Sequence, residues 1–217
     1  MRVAIAGGHG QIALRLTRLL AGRGDTVIGI VRNPGHVADV RAAGGDAVVV
    51  DLEDTTTEHV ADAIRGADAV VFAAGAGPGS GARRKDAVDR AASVLVADAA
   101  QAAGVRRYVQ VSAMGLDRAD DPDMDAVFAA YLRAKDAADQ DLVVRDLEWT
   151  ILRPGRLTDD PGTGTVNLAE RVPGGAVTRD DVATVLVGLL DRPATAGKVL
   201  ELVGGDTAVD QALARHV

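Results

Sequence analysis

Apolar residues follow two alternating rhythms along this chain. Short stretches rich in Val, Ile, Ala and Leu lie at residues 2–6, 26–31, 47–50, 69–73, 107–111, 149–152 and 198–203. Between them, apolar positions recur every three or four residues at 11–21, 36–43, 58–64, 82–103, 124–142, 179–190 and 209–215. The first rhythm predicts strands buried on both faces, because a strand with one wet face would alternate. The second predicts amphipathic helices. Their alternation predicts right-handed crossovers and an α/β fold, a doubly wound parallel sheet between two helical layers. Gly22, Gly24, Gly44, Gly66 and Gly104 each follow a helical stretch, where helices stop. Two segments break the rhythm, the acidic 116–123 and the Gly-, Pro- and Thr-rich 158–175. Both follow strand carboxyl ends, where such folds bind ligands, so they are the expected substrate wall.

The first strand runs into Gly7-Gly8-His9-Gly10-Gln11-Ile12-Ala13, and a helical pattern follows at once. Gly7 and Gly10 let the backbone turn tightly and come close to a pyrophosphate. The helix N-terminus behind them offers free N–H groups and a positive dipole end. This strand–turn–helix context predicts a Rossmann-type dinucleotide site with Gly7, His9, Gly10, Gln11 and Ile12 around the phosphates. The second strand ends in Arg32-Asn33-Pro34. Arginine there suits the 2′-phosphate of NADP(H), where an acidic residue would select NAD(H). Asp51 after the third strand could accept from the adenine amino group, with Leu52 on the ring. A turn aspartate is the alternative. Ala73-Ala74-Gly75 after the fourth strand would let a cofactor lie close to the backbone.

Composition narrows the partners. The 217 residues suit one domain, with a small substrate-side extension from about residue 153 onward. A net charge of −7 argues against nucleic acid, and the one compact basic run, Arg83-Arg84-Lys85, reads as a solvated helix start. With no cysteine, disulfides and thiolate chemistry are excluded, and the chain is compatible with the cytoplasm. The four histidines lack paired ligand spacing, so no metal is expected. No apolar run approaches the roughly 20 residues that span a bilayer, so no membrane contact is expected. Aromatics are 2% of the chain, which leaves Met114, Phe128 and Tyr131 as the nearest candidates to meet a planar ligand.

The fifth strand ends in Ser112, and the next helix carries Tyr131 and Lys135, four apart and on one face. A lysine beside a phenol favours the phenolate, so the Tyr131 pKa is expected to fall from about 10 toward the working range. Tyr131 would then supply a proton to a carbonyl that Ser112 holds. With these residues the chain resembles the short-chain dehydrogenase/reductase superfamily, in its small atypical NAD(P)H-binding branch of biliverdin reductase B-like flavin reductases. The resemblance spans nearly the whole chain. It includes Gly7-x-x-Gly10-x-x-Ala13, Arg32, Asp51, the run from Gly104 to Ser112, Tyr131-x-x-x-Lys135, Trp149 to Thr158, and Thr178 to Ala183. It implies that Pro154 and Gly155 pass the nicotinamide ring and that Ser112 and Lys135 also touch the cofactor. Thr178–Ala183 is implied to be a structural helix start. The long C-terminal lobe of the extended relatives is lacking, which argues against epimerase or sugar-nucleotide dehydratase activity. The expected function is an NADPH-dependent oxidoreductase passing hydride to a small carbonyl, quinone or flavin-like acceptor. The alternative is a non-catalytic module that senses NADP(H) and acts through a protein partner. The expected state is a monomer or weak homodimer.

Overall fold

The computed structural model describes residues 1–77 and 79–216. Its nine-stranded sheet runs β11-β8-β10-β6-β5-β4-β1-β2-β3. The seven strands β3 (Asp46–Val49), β2 (Thr26–Val31), β1 (Arg2–Ala6), β4 (Ala69–Phe72), β5 (Arg107–Val111), β6 (Glu148–Pro154) and β10 (Lys198–Gly204) are parallel. The chain order reverses between β1 and β4. A crevice opens at such a reversal, beyond the carboxyl ends of the strands.

Continuous apolar strands arise because the sheet is covered twice. On β1, Val3 and Ile5 face one core and Ala4 and Ala6 face the other, all four fully buried. The first core is closed by α1 (Gln11–Gly22), α7 (Arg179–Leu190) and α8 (Val209–Ala214), and the second by α3 (Thr57–Ile64) and α5 (Ala92–Ala102). The short α2 (Val37–Ala42) leads into β3.

Three features depart from the sequence pattern. Segment 158–175, read as a loop, contains β8 (Thr165–Ala169), which pairs antiparallel with β10, while β11 (Thr207–Ala208) pairs antiparallel with β8. Its Gly, Pro and Thr content masked a five-residue strand. A separate two-stranded ribbon joins β7 (Arg156–Thr158) to β9 (Ala176–Thr178). Helix 82–102 is continuous, but between α4 (Ala82–Lys85) and α5 it widens into a π-helical stretch, Asp86–Ala91. The helix after it, α6 (Ala126–Val143), is capped by Asp125, which accepts from the N–H groups of Val127 and Phe128. No described helix is long and apolar enough to cross a membrane.

The start of α7 is tied to the loop before β8. Thr178 caps the helix by accepting from the Asp181 N–H at 3.0 Å. The buried Asp181 carboxylate accepts from the Thr178 and Thr163 hydroxyls and from the N–H groups of Thr163 and Gly164. Burial alone would raise this carboxyl. The bonds from Thr163, Gly164 and Thr178 outweigh it and hold Asp181 below the usual range. Its contribution to stability is therefore complete above the unfolded value of about 4 and is lost as pH falls through the lower folded value. Asp181→Asn is expected to cost about 3 kcal/mol at neutral pH. In urea melts from pH 7 to pH 3 the gap to wild type should narrow with acidification. A gap that does not change with pH would show that the carboxylate charge is irrelevant.

Candidate functional site

The turn after β1 is built by close approach. Gly7 has φ +79, and the N–H of Gly10 returns to the Gly7 carbonyl at 2.8 Å. A Cβ at Gly7 would meet the Ala74 backbone at 2.6 Å, and one at Gly8 would meet the Gly29 Cα at 2.6 Å. These two glycines thus seat the turn against the ends of the neighbouring strands β4 and β2. Gly10 precedes α1, which among the described residues has no side-chain cap and no acidic residue in its first turn. The first N–H groups of α1 are left for an anion.

A groove of about 290 Å³ runs from this turn across the ends of β4 and β5. Ile12, Ala73, Ala74, Gly75, Ser112 and Lys135, all expected at the cofactor, line it together with Tyr131. A second cavity of about 490 Å³ adjoins it, with Phe128, Tyr131 and Lys85 in its wall. Lys85 and Tyr131 belong to both. The Phe128 and Tyr131 rings stack at 5.8 Å, as the scarcity of aromatics allowed. Met114 does not line either cavity.

The groove floor is a buried polar network. The Asp139 carboxylate accepts from Gln110 Nε2 at 2.7 Å, Ser112 Oγ at 2.8 Å and Arg153 Nε at 2.9 Å. Ser93 Oγ donates to Gln110 Oε1 at 2.7 Å. Burial pushes the Asp139 carboxyl up against the pull of Arg153, Gln110 and Ser112. Lys135 Nζ donates to the Val111 carbonyl at 3.1 Å and lies 3.3 Å from Asp89 Oδ1. Asp89 stands on the π-helical stretch, which turns it inward so that its Oδ2 accepts from the Ala76 N–H at 3.2 Å. Gly75 leaves room for it, since a Cβ there would lie 3.2 Å from Asp89 Oδ1.

This network corrects the electrostatics expected of Tyr131. Its phenol is raised, not lowered, first by burial and then by the Asp89 and Asp139 carboxylates. The Lys135 charge faces Asp89, so little of it is left for the phenol. The cation over the Tyr131 ring is Lys85, at 5.1 Å, and its Nζ also donates to the Gly77 carbonyl at 2.9 Å. Ser112 spends its hydroxyl proton on Asp139 and shows the groove only oxygen lone pairs.

The remaining expected residues do not line the groove. His9 Nε2 contacts Asp39 at 2.8 Å, and its ring stacks on His36 at 3.6 Å. Gln11 takes a contact from Arg15. Arg32 pairs with Glu53, which also receives Arg84. The run 83–85 is therefore not a merely solvated helix start. Asp51 accepts from the Glu53 N–H at 3.0 Å, the turn role that its position also allowed. Leu52 packs against the second core. Pro154 closes β6 and Gly155 bonds to β10. A Cβ at Gly155 would meet the Gly175 carbonyl at 2.3 Å, so this glycine serves the joint with β9, and Leu157 is the residue of that segment on the groove.

Asp89, Asp139 and Glu53 were not read from the sequence, and Lys85 was read only as part of a solvated basic run. Asp139 was within reach, because it continues the Tyr131 and Lys135 face by four more residues. Asp89 and Glu53 carry no local signal; only the folded chain brings them to their partners. No group of three or more His, Asp or Glu among the described residues is placed to hold a metal ion.

The groove fits a nicotinamide dinucleotide. Ile12, in the first turn of the uncapped helix α1, and the small residues Ala73, Ala74 and Gly75 line it, as phosphates and a flat-lying cofactor need. The chain matches the model of the NAD(P)H-binding family over residues 7–193. It is 36% identical to the uncharacterized sugar epimerase YhfK of Bacillus subtilis, over 98% of this chain and 99% of that protein. Among solved structures, a Bacillus halodurans protein provisionally assigned as an NAD-dependent epimerase/dehydratase superposes with TM-score 0.92 at 33% identity, covering 99% of both chains. The anaerobilin reductase ChuY of Escherichia coli O157:H7 superposes with TM-score 0.79 at 25% identity, over 95% of this chain and 98% of that one. With its groove at the β1–β4 reversal, this Rossmann-fold chain belongs to the NAD(P)H-binding family.

Proposed function

We propose that the protein is an NADPH-dependent oxidoreductase of the short-chain dehydrogenase/reductase type, acting on a small carbonyl, quinone or flavin-like acceptor. The observation that carries the reading is the placement of Tyr131, which lines the cofactor groove and the adjoining cavity at once. A group at that junction can reach a substrate lying against the cofactor. When bound, the cofactor supplies the hydride. Tyr131 holds a proton for the acceptor oxygen, and its raised phenol keeps that proton at neutral pH. Phe128 beside it gives a planar acceptor a second ring to lie on. The first turn of α1 takes the pyrophosphate, Ala73, Ala74 and Gly75 flank it, and Arg32 faces the 2′-phosphate. Lys135 and Ser112 fix the floor through Asp89 and Asp139 rather than touching the acceptor.

One observation favours the non-catalytic alternative. The Lys135 ammonium and the Ser112 hydroxyl are both committed to carboxylates, as a purely structural pair would be. The epimerase name of a relative adds a third outcome, because an epimerase returns the hydride and consumes no cofactor. An acceptor screen that follows NADPH absorbance separates the reductase from the other two readings, neither of which consumes cofactor.

Two results are expected. In calorimetric titrations the protein should prefer NADPH to NADH, and Arg32→Ala should erase about tenfold of that preference. Equal binding of both by wild type would remove the NADP reading. Tyr131→Phe should bind NADPH as wild type does, yet lose about 10²–10⁴-fold in turnover of a carbonyl acceptor. Because the phenol is raised, wild-type turnover should not fall with rising pH until beyond the ordinary tyrosine value of about 10. Full activity in Tyr131→Phe would exclude Tyr131 as the proton donor.

A further inference from the structure

Arg32 at the end of β2 donates through Nη1 to Glu53 Oε1 at 2.6 Å. Arg84, in the first turn of helix 82–102, reaches the same oxygen with Nη2 at 3.2 Å and Nε at 3.4 Å. One carboxylate oxygen thus gathers two guanidiniums from separate parts of the chain. Glu53 is set in place by its own N–H, which donates to Asp51. Both arginines remain open to solvent, Arg32 at 52% and Arg84 at 40% side-chain exposure, and Glu53 is the more covered partner at 27%.

We propose that Glu53 stands in for the 2′-phosphate of NADP(H). It holds Arg32 and Arg84 together in the free protein and yields them to that phosphate on binding, so that Glu53 and Arg84 join Arg32 in setting the choice between NADP(H) and NAD(H). The proposal rests on the NADP reading above. Exposed ion pairs are weak and exchange readily, so the carboxylate can be displaced. A phosphate offers three acceptor oxygens and more charge than a carboxylate, and guanidinium forks fit it bidentately. The neutral 2′-hydroxyl of NAD(H) offers no such replacement and leaves Glu53 where it is. Glu53 therefore opposes only the phosphorylated cofactor, and Arg84 favours only that one.

The test is calorimetry of 2′,5′-ADP, 5′-AMP, NADPH and NADH on the full chain, in wild type, Arg32→Ala, Glu53→Gln and Arg84→Met. All three positions are on the surface or half-buried, and thermal melts check the fold of each variant. Glu53→Gln is expected to tighten 2′,5′-ADP and NADPH about fivefold, while 5′-AMP and NADH stay within about twofold. Arg84→Met is expected to weaken 2′,5′-ADP and NADPH about tenfold and to spare the other two. The proposal stands only if both shifts occur. If Glu53→Gln instead weakens 5′-AMP and NADH, Glu53 is an acceptor for the ribose hydroxyl and the proposal is overturned. It is likewise overturned if either variant moves both cofactor classes together or moves neither. A wild type that does not favour 2′,5′-ADP, with Arg32→Ala unchanged, marks failure of the NADP reading itself. A wild-type preference that Arg32→Ala abolishes but the other two variants leave intact marks failure of the Glu53 proposal alone.

Discussion

The turn after β1 touches its neighbours more closely than any side chain would allow. Backbone meets backbone at Gly7 and Ala74, and again at Gly8 and Gly29. Two bonds secure the contact, Gly8 N–H to the Ile30 carbonyl at 2.9 Å and Ala73 N–H to the Ala6 carbonyl at 3.0 Å. The start of α1, the end of β2 and the loop after β4 are thereby locked into one body. Two of those pieces, the start of α1 and the loop after β4, line the groove, so their separation is set by this contact. The uncapped first turn of α1 and the small-residue wall keep their spacing because the glycines leave nothing between the strands.

Beneath that frame, charge is arranged in compensated sets. Lys135 meets Asp89 and Arg153 meets Asp139, both inside a chain that buries few charged groups. A buried ion is tolerated only with a partner and with hydrogen bonds to its remaining atoms. The backbone carbonyl of Val111, the Ala76 N–H and the side chains of Gln110 and Ser112 supply those bonds. The π-helical stretch matters here, because it turns a carboxylate of an otherwise apolar helix face toward the lysine. Such stretches recur at functional sites.

The fold was legible in the sequence because burial on both faces writes itself as stretches rich in apolar residues without a wet alternate face. All seven parallel strands stand where those stretches stand, and the ends of the long helices differ by only a few residues. The strands of the substrate side were not legible. Val166 and Leu168 are buried in β8, but Gly162, Gly164 and Pro161 around them carry the stronger local signal of a loop. At the candidate site, residues next to the glycine turn and on the Tyr131 helix were read from spacing together with their place after a strand. Charge partners such as Asp89 for Lys135 and Glu53 for Arg32 were not, since 46 and 21 residues separate them. The missing partners also account for the inverted expectation at Tyr131. A lysine read in isolation lowers a phenol, whereas a lysine already facing a carboxylate does not.

The long sheet ends differently from the way it is built. Its middle strands are buried, but β3 at one margin has four residues, with Asp46 and Val49 exposed, and β11 at the other has only two. An open margin of extended backbone invites a strand from another molecule to add on, and nine strands in register would be a ready template for stacking. A margin only two residues long offers too few free N–H and carbonyl groups to hold an incoming chain. At the other margin, a charged residue at the first position discourages one. Both margins are thus short, and short edge strands are one way in which sheets limit edge-to-edge addition.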